Sequence, residues 1–243
     1  MRRVLFAKGS EMLRLLGTVL AALIGAAGLP AAAGDAVVVE LYTSQGCSSC
    51  PPADGLLAEL AEMENVIALA LHVDYWDYIG WKDDLARPEH TARQKGYARA
   101  AGKGMVYTPQ FVIGGVDRVT GYEPLEVAEI IQRHRAAPRP VALSVRRDGE
   151  MLMVEARAIG PVEGTVIVQV ARYVPVHRVE IKRGENAGRT FDYRNAVDLW
   201  AEIGRWNGQG TWSGTARVAG DAPLAVILQR EGYGPVLAAA RVP

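Results

Sequence analysis

Residues 37–52 constrain this chain more than any other stretch. They read Val37-Val38-Val39-Glu40-Leu41-Tyr42-Thr43-Ser44-Gln45-Gly46-Cys47-Ser48-Ser49-Cys50-Pro51-Pro52. The Val-rich run signals a strand, and its near-continuous apolar character implies burial on both faces, as in a parallel sheet. Ser44, Gln45 and Gly46 mark a turn. Pro51 or Pro52 suits a first helical turn, where a missing N–H costs nothing. The only two cysteines of the chain therefore fall between a strand end and a helix start. A helix N-terminus carries partial positive charge and unpaired N–H groups, and both favour a thiolate over a thiol.

What such a pair does depends on its compartment. Met1 to Arg14 is basic, Leu15 to Leu29 is apolar, and Ala31-Ala32-Ala33 supplies small residues at a signal-peptidase spacing. Residues 1–33 read as a secretory signal peptide cleaved after Ala33. An uncleaved anchor is the competing reading, but the apolar stretch is short for a span and is broken by Gly25, Gly28 and Pro30. Cleavage takes four positive charges and one negative from a neutral chain, leaving a formal net charge of −3. A mildly acidic protein is a poor candidate for nucleic acid or an anionic membrane. A periplasmic or secreted location is oxidising, so Cys47 and Cys50 are expected as a disulfide unless something reduces them. The loop it closes is very small, so the bond is a weak staple. Redox or metal chemistry is the better reason for it. In redox chemistry Cys47, at the helix cap, is the expected exposed nucleophile. Cys50, one turn further in, is the buried partner that resolves a mixed disulfide.

Downstream, Leu56, Leu57, Leu60 and Met63 recur at helical spacing, and Val66–Val73 is a second β-like run. The segment 74–83 is aromatic, and 87–101 reads as a polar helix whose charges face solvent. Thr108-Pro109 feeds a short strand, Gly114-Gly115 a hairpin turn, and 124–135 a last helix. Residues 136–140 look like a linker. Beyond them, short runs at 141–147, 151–158, 165–172, 176–182, 211–218, 225–229 and 236–242 predict strands, with a short helix within 192–203. The expected fold class is an α/β domain over 34–137 followed by a mostly-β, sandwich-like domain over 138–243.

The order strand, Cys-x-x-Cys, helix, strand, helix, Thr-Pro, hairpin, helix resembles the thioredoxin fold. Three phrases are similar to an exported bacterial family catalogued as domain of unknown function 1223. They are Glu40 to Asp54, His72-Val73-Asp74-Tyr75-Trp76-Asp77, and Val106-Tyr107-Thr108-Pro109-Gln110. The likeness continues at Gly184-Glu185-Asn186 and Gln229-Arg230. That family supplies a fold and a motif but no substrate.

The thioredoxin resemblance implies a cis Pro109 facing the Cys47–Cys50 pair, with the backbone before it, at Thr108, free to hold an extended substrate. It implies a proton relay at Glu40, whose pKa burial would raise; a solvated edge carboxylate is the plainer alternative. The dipeptide Ser48-Ser49 is neither the Gly-Pro of reducing thioredoxins nor the Pro-His of strong oxidants, so the direction of electron flow stays open. His72 with the two cysteines suggests a copper chaperone, but the spacing differs, and a core histidine is the default. Tyr75, Trp76, Tyr78 and Trp81 line either a groove or a packed interface.

The expected function is an exported thiol–disulfide oxidoreductase. It needs no cofactor or metal and acts on a protein or small-molecule disulfide or thiol, with a membrane redox partner as a candidate. The alternative is a non-catalytic binding or assembly protein on the same scaffold.

Overall fold

The computed structural model describes residues 32–33 and 36–242. The expected signal peptide lies outside them apart from Ala32–Ala33, a two-residue strand (β1) that pairs with β6, Val141–Asp148. The first half runs β2 (Val37–Thr43), α1 (Pro51–Ala61), β3 (Val66–His72), a 3-10 turn (Asp77–Ile79), α2 (Pro88–Ala100), β4 (Gln110–Ile113), β5 (Asp117–Thr120) and α3 (Pro124–Ala136). The second half is all strand: β6, β7 (Met151–Ala158), β8 (Val166–Glu180), β9 (Thr190–Trp206), β10 (Thr211–Arg217), β11 (Leu224–Arg230) and β12 (Val236–Val242).

The halves share a sheet. Eight strands in the order β12-β11-β8-β9-β3-β2-β4-β5 form one mixed sheet, and β1-β6-β7-β10 form a second. The 136–140 segment therefore does not divide the sheet. The seam is Ala70 paired with Ala196, where Asn195 Nδ2 also donates to Ala68 O at 2.9 Å. Residues 192–203, expected to include a short helix, are strand throughout. The long β8–β9 ladder from Val166↔Trp206 to Glu180↔Thr190 takes their backbone groups, and pairing overrides local propensity. The same ladder runs through Arg172–Val176, joining two expected strands into one, with a register shift at Arg172/Tyr173.

Period-two alternation sorts the cores. Val37, Val39 and Leu41 of β2 face α1 and α3, meeting Leu57, Leu60, Val127 and Ile130. Val38 and Tyr42 face the other way, into a cluster with Tyr97 of α2 and with Ala171, Val197, Ala225 and Ile227 from the second half. A third core lies between the two sheets, with Leu143, Leu152 and Val154 against Val168, Val226 and Leu228. The sandwich expected for residues 138–243 is thus present as a packing layer, but one of its sheets continues into the first half.

Candidate functional site

Strands β2 and β3 are parallel with Thr43 level with His72, so their C-terminal ends lie side by side. Open α/β sheets place sites beyond such ends. There the chain turns, with Gly46 N donating to Ser44 Oγ at 3.1 Å and Cys47 N to Ser44 O at 3.1 Å. Cys47 and Cys50 form a disulfide with Cα atoms 5.4 Å apart. Cys50, not Cys47, is the helix N-cap: its carbonyl accepts from Ala53 N at 2.9 Å and Asp54 N at 3.1 Å. Cys47 sits three residues earlier, its Sγ 3.4 Å from Ser49 Oγ.

The expected exposure of Cys47 is not observed. Cys47 is 1 % and Cys50 0 % exposed, while Ser48 and Ser49 face solvent. Two elements close the site. Trp76 Cβ and Ile79 Cδ1 lie 3.3 Å from where a Gly46 Cβ would stand, so any larger residue there would have to push them back by a few tenths of an ångström. Trp76 Nε1 donates to Thr108 Oγ1 at 2.7 Å, tying the aromatic loop to the Thr108–Pro109 turn. That peptide bond is cis, and because Gln110 pairs with Tyr42, Pro109 lies beside the end of β2. The second closure is the 181–189 strap between β8 and β9. Buried Asn186 donates through Nδ2 to Gln45 O and Cys47 O, both at 3.0 Å, and accepts from Arg189 at 3.0 Å. Gln45 is held in turn by Asp83 Oδ2 at its N–H (2.8 Å), by Asp84 at Nε2 (2.7 Å) and by Trp81 at Oε1 (2.7 Å). Of the four aromatics, Tyr75, Trp76 and Trp81 are packed and hydrogen-bonded, and only Tyr78 stands in solvent.

Beneath α1 lies a second layer of titratable groups. His72 Nδ1 is 2.8 Å from Asp83 Oδ2, and the His72 ring meets Tyr193 edge-on at 4.7 Å. Burial opposes charge on His72, but Asp83, together with Asp54 and Asp84, outweighs it and raises the pKa. Burial likewise opposes charge on Asp83, but His72 and the Gln45 and Leu85 amides lower its pKa. Asp54 is partly exposed as a residue, yet its Oδ2 is enclosed; burial pushes its pKa up to about 7 against the pull of His72 and the Thr43 hydroxyl. His90 is buried against His72 O, and desolvation lowers its pKa to about 4. Among the described residues, no group of three or more His, Cys, Asp or Glu is placed to hold a metal ion.

Glu40 is placed neither as a relay nor as a solvated edge group. It is 0 % exposed and shares the β2 face of Val38 and Tyr42, opposite α1 and Cys50. Arg93 grips both its oxygens, Nε to Oε2 at 2.7 Å and Nη2 to Oε1 at 2.9 Å. Tyr42 and Tyr97 hydroxyls add bonds at 2.9 and 2.7 Å. Arg93 also donates to Gln169 and Gln229 of the second half, and its guanidinium stacks 3.8 Å from the Trp200 ring centre. Burial works against this guanidinium, but Glu40 more than compensates and raises its pKa further. The polar-helix expectation therefore holds for Arg87, Glu89, Lys95 and Arg99 but fails for Arg93. A lone carboxylate in a Val-rich strand demands a cation, and Arg93, one turn before Tyr97, was the signal that could have supplied it. Asn186, Gln45 and Asp54 lie in the family-like phrases without any signal of their roles, and Asp83 lies outside them.

A family model described as "Protein of unknown function (DUF1223)" matches residues 38–229. The chain belongs to this family. It is also similar to a solved structure, the X-ray structure of protein AGR_C_4864 from Agrobacterium tumefaciens. That likeness has 31% identity and a TM-score of 0.72, and covers 85% of this chain and 93% of that one. Thioredoxin from Malassezia sympodialis (Mala s 13) is 21% identical over 44% of this chain and 81% of its own, with a TM-score of 0.29, too slight to carry an argument. No curated protein matches. Within the DUF1223 match fall both cysteines, Thr108-Pro109, Asn186 and the Glu40–Arg93 pair.

Proposed function

We propose that this DUF1223 protein is an exported thiol–disulfide oxidoreductase on a thioredoxin-like first half. The carrying observation is the Cys47–Cys50 disulfide at the start of α1, across a two-residue gap, beyond the parallel strand ends. A bond between such close positions adds little stability, and its chemistry is the better reason to build it there. Cys47 is the sulfur exchanged with substrate and Cys50 the one that resolves. The Thr108-Pro109 turn shapes the groove, with a membrane protein as the candidate electron partner. Because Cys47 is closed in, exchange requires displacement of the Asn186 strap or the Trp76 loop.

The test is thiol-driven reduction of a protein disulfide, with wild type and Cys47→Ser side by side. Catalysis by the wild type alone is expected; equal rates end the proposal. The burial of both sulfurs favours one second reading, a binding or assembly protein in which the pair is a rigid local element. A disulfide that resists glutathione and exchanges with no substrate identifies that role.

A further inference from the structure

We propose that Asp54 accepts the Cys50 proton when the pair closes on a substrate disulfide, with Thr43 holding it and the charge of His72 acting on it. This rests on the oxidoreductase reading. Cys50 and Asp54 are four residues apart at the start of α1, a spacing that puts them on one side of the helix. Thr43 and His72 are register neighbours on β2 and β3, on the sheet face that α1 covers. The Thr43 hydroxyl binds Asp54 Oδ1 at 2.7 Å. Asp54 Oδ2 and His72 Nε2 are both enclosed, and neither has a hydrogen-bond partner. Two buried polar atoms left unmatched cost free energy, and such atoms persist where a proton or a bridging water is exchanged. Glu40, the strand carboxylate first expected in this role, is on the other face and fully engaged by Arg93.

The step balances. Cys47 thiolate attacks R–S–S–R′, forming Cys47–S–S–R and releasing R′S⁻. Cys50 then gives its proton to Asp54 Oδ2, and its sulfur attacks Cys47 Sγ. The Cys47–Cys50 bond forms, and the bond to R breaks with the electron pair leaving on RS⁻. The substrate disulfide gains two electrons and the protein dithiol loses them. The reverse reaction returns the proton from Asp54.

A carboxyl with a pKa of about 7 suits this exchange near neutral pH. The other titratable or charged groups facing it are His72 from β3, Asp83 from the loop beyond and Tyr193 from β9; Asp84 and Arg189 stand behind them, against His72 and Tyr193.

Reduced full-length protein is mixed with bis(2-hydroxyethyl) disulfide, and release of the first and second thiols is followed from pH 5 to 9. In Asp54→Asn the second release is expected to slow about 100-fold at pH 7 and to lose its inflection near 7, while the first stays within about twofold. In His72→Gln that inflection moves upward, because the imidazolium that lowers the Asp54 pKa is gone. His72→Gln alone decides the matter if Asp54→Asn does not fold. Unchanged second-phase rates and profiles overturn the role of Asp54 and leave the oxidoreductase reading standing. A wild type with no first release overturns both.

Discussion

Replacing Arg93 by Met tests whether the Glu40 cluster is the bolt between the halves. The wild-type carboxylate is 0 % exposed and receives two bonds from Arg93 and one each from Tyr42 and Tyr97. Met retains the apolar stem but leaves a buried acid with two hydroxyl donors and no cation. Breaking a buried pair in this way costs about 3–5 kcal/mol. For a chain of this size that corresponds to a Tm lower by roughly 6–20 °C. Gln169 and Gln229 lose a donor at the same time, so the loss falls on the contact between α2 and strands β8 and β11. The assay is urea unfolding at pH 7, followed by circular dichroism and tryptophan fluorescence. The two probes separate if the halves uncouple. The double variant Glu40→Gln/Arg93→Met is expected to lose less than the sum of the singles, with a coupling of about 0.5–3 kcal/mol. A single Arg93→Met loss below about 1 kcal/mol refutes the reasoning, because a carboxylate so little affected has other support or reaches water.

The strap is tested by Asn186→Ala. It removes both bonds to the Gln45 and Cys47 carbonyls, and reduction of the disulfide by glutathione should accelerate about tenfold; an unchanged rate shows that another element limits access. Gly96 abuts Tyr233, whose ring lies 2.0 Å from where a Cβ would stand. Gly96→Val is therefore expected to lower stability by about 1–3 kcal/mol in denaturant melts although valine is a better helix former than glycine, and a neutral result shows that the ring swings aside. His90 titrates at about 4 when folded against 6.5 unfolded, so the unfolded state binds the extra proton between those values. Its stabilising contribution is present above pH 6.5 and is lost as pH falls towards 4, by roughly 3 kcal/mol. Stability curves of wild type and His90→Gln should converge over that interval, and parallel curves contradict the assignment.

The first half was legible because its signals are local. Val37–Thr43, the Cys-x-x-Cys, Pro51 and the hydrophobic spacing of α1 need only neighbouring residues to be read, and the expected element order is the one observed. Strands such as Met151–Ala158 and Leu224–Arg230 were likewise visible as apolar runs. What no window of sequence contains is which strand lies beside which. Whether Asp192–Ile203 became helix or ladder was decided by pairing with β8, and whether the halves separated was decided at Ala70 and Ala196.

The site divides in the same way. The sequence determined that two thiols meet at a helix start, because four consecutive positions cannot avoid one another. Only the tertiary structure decided their exposure, because the Asn186 amide that covers Cys47 arrives from a turn 139 residues away. It also decided the fates of two carboxylates. Period-two alternation turned Glu40 away from α1 and onto Arg93, while the first helical turn brought Asp54 over Thr43 and His72.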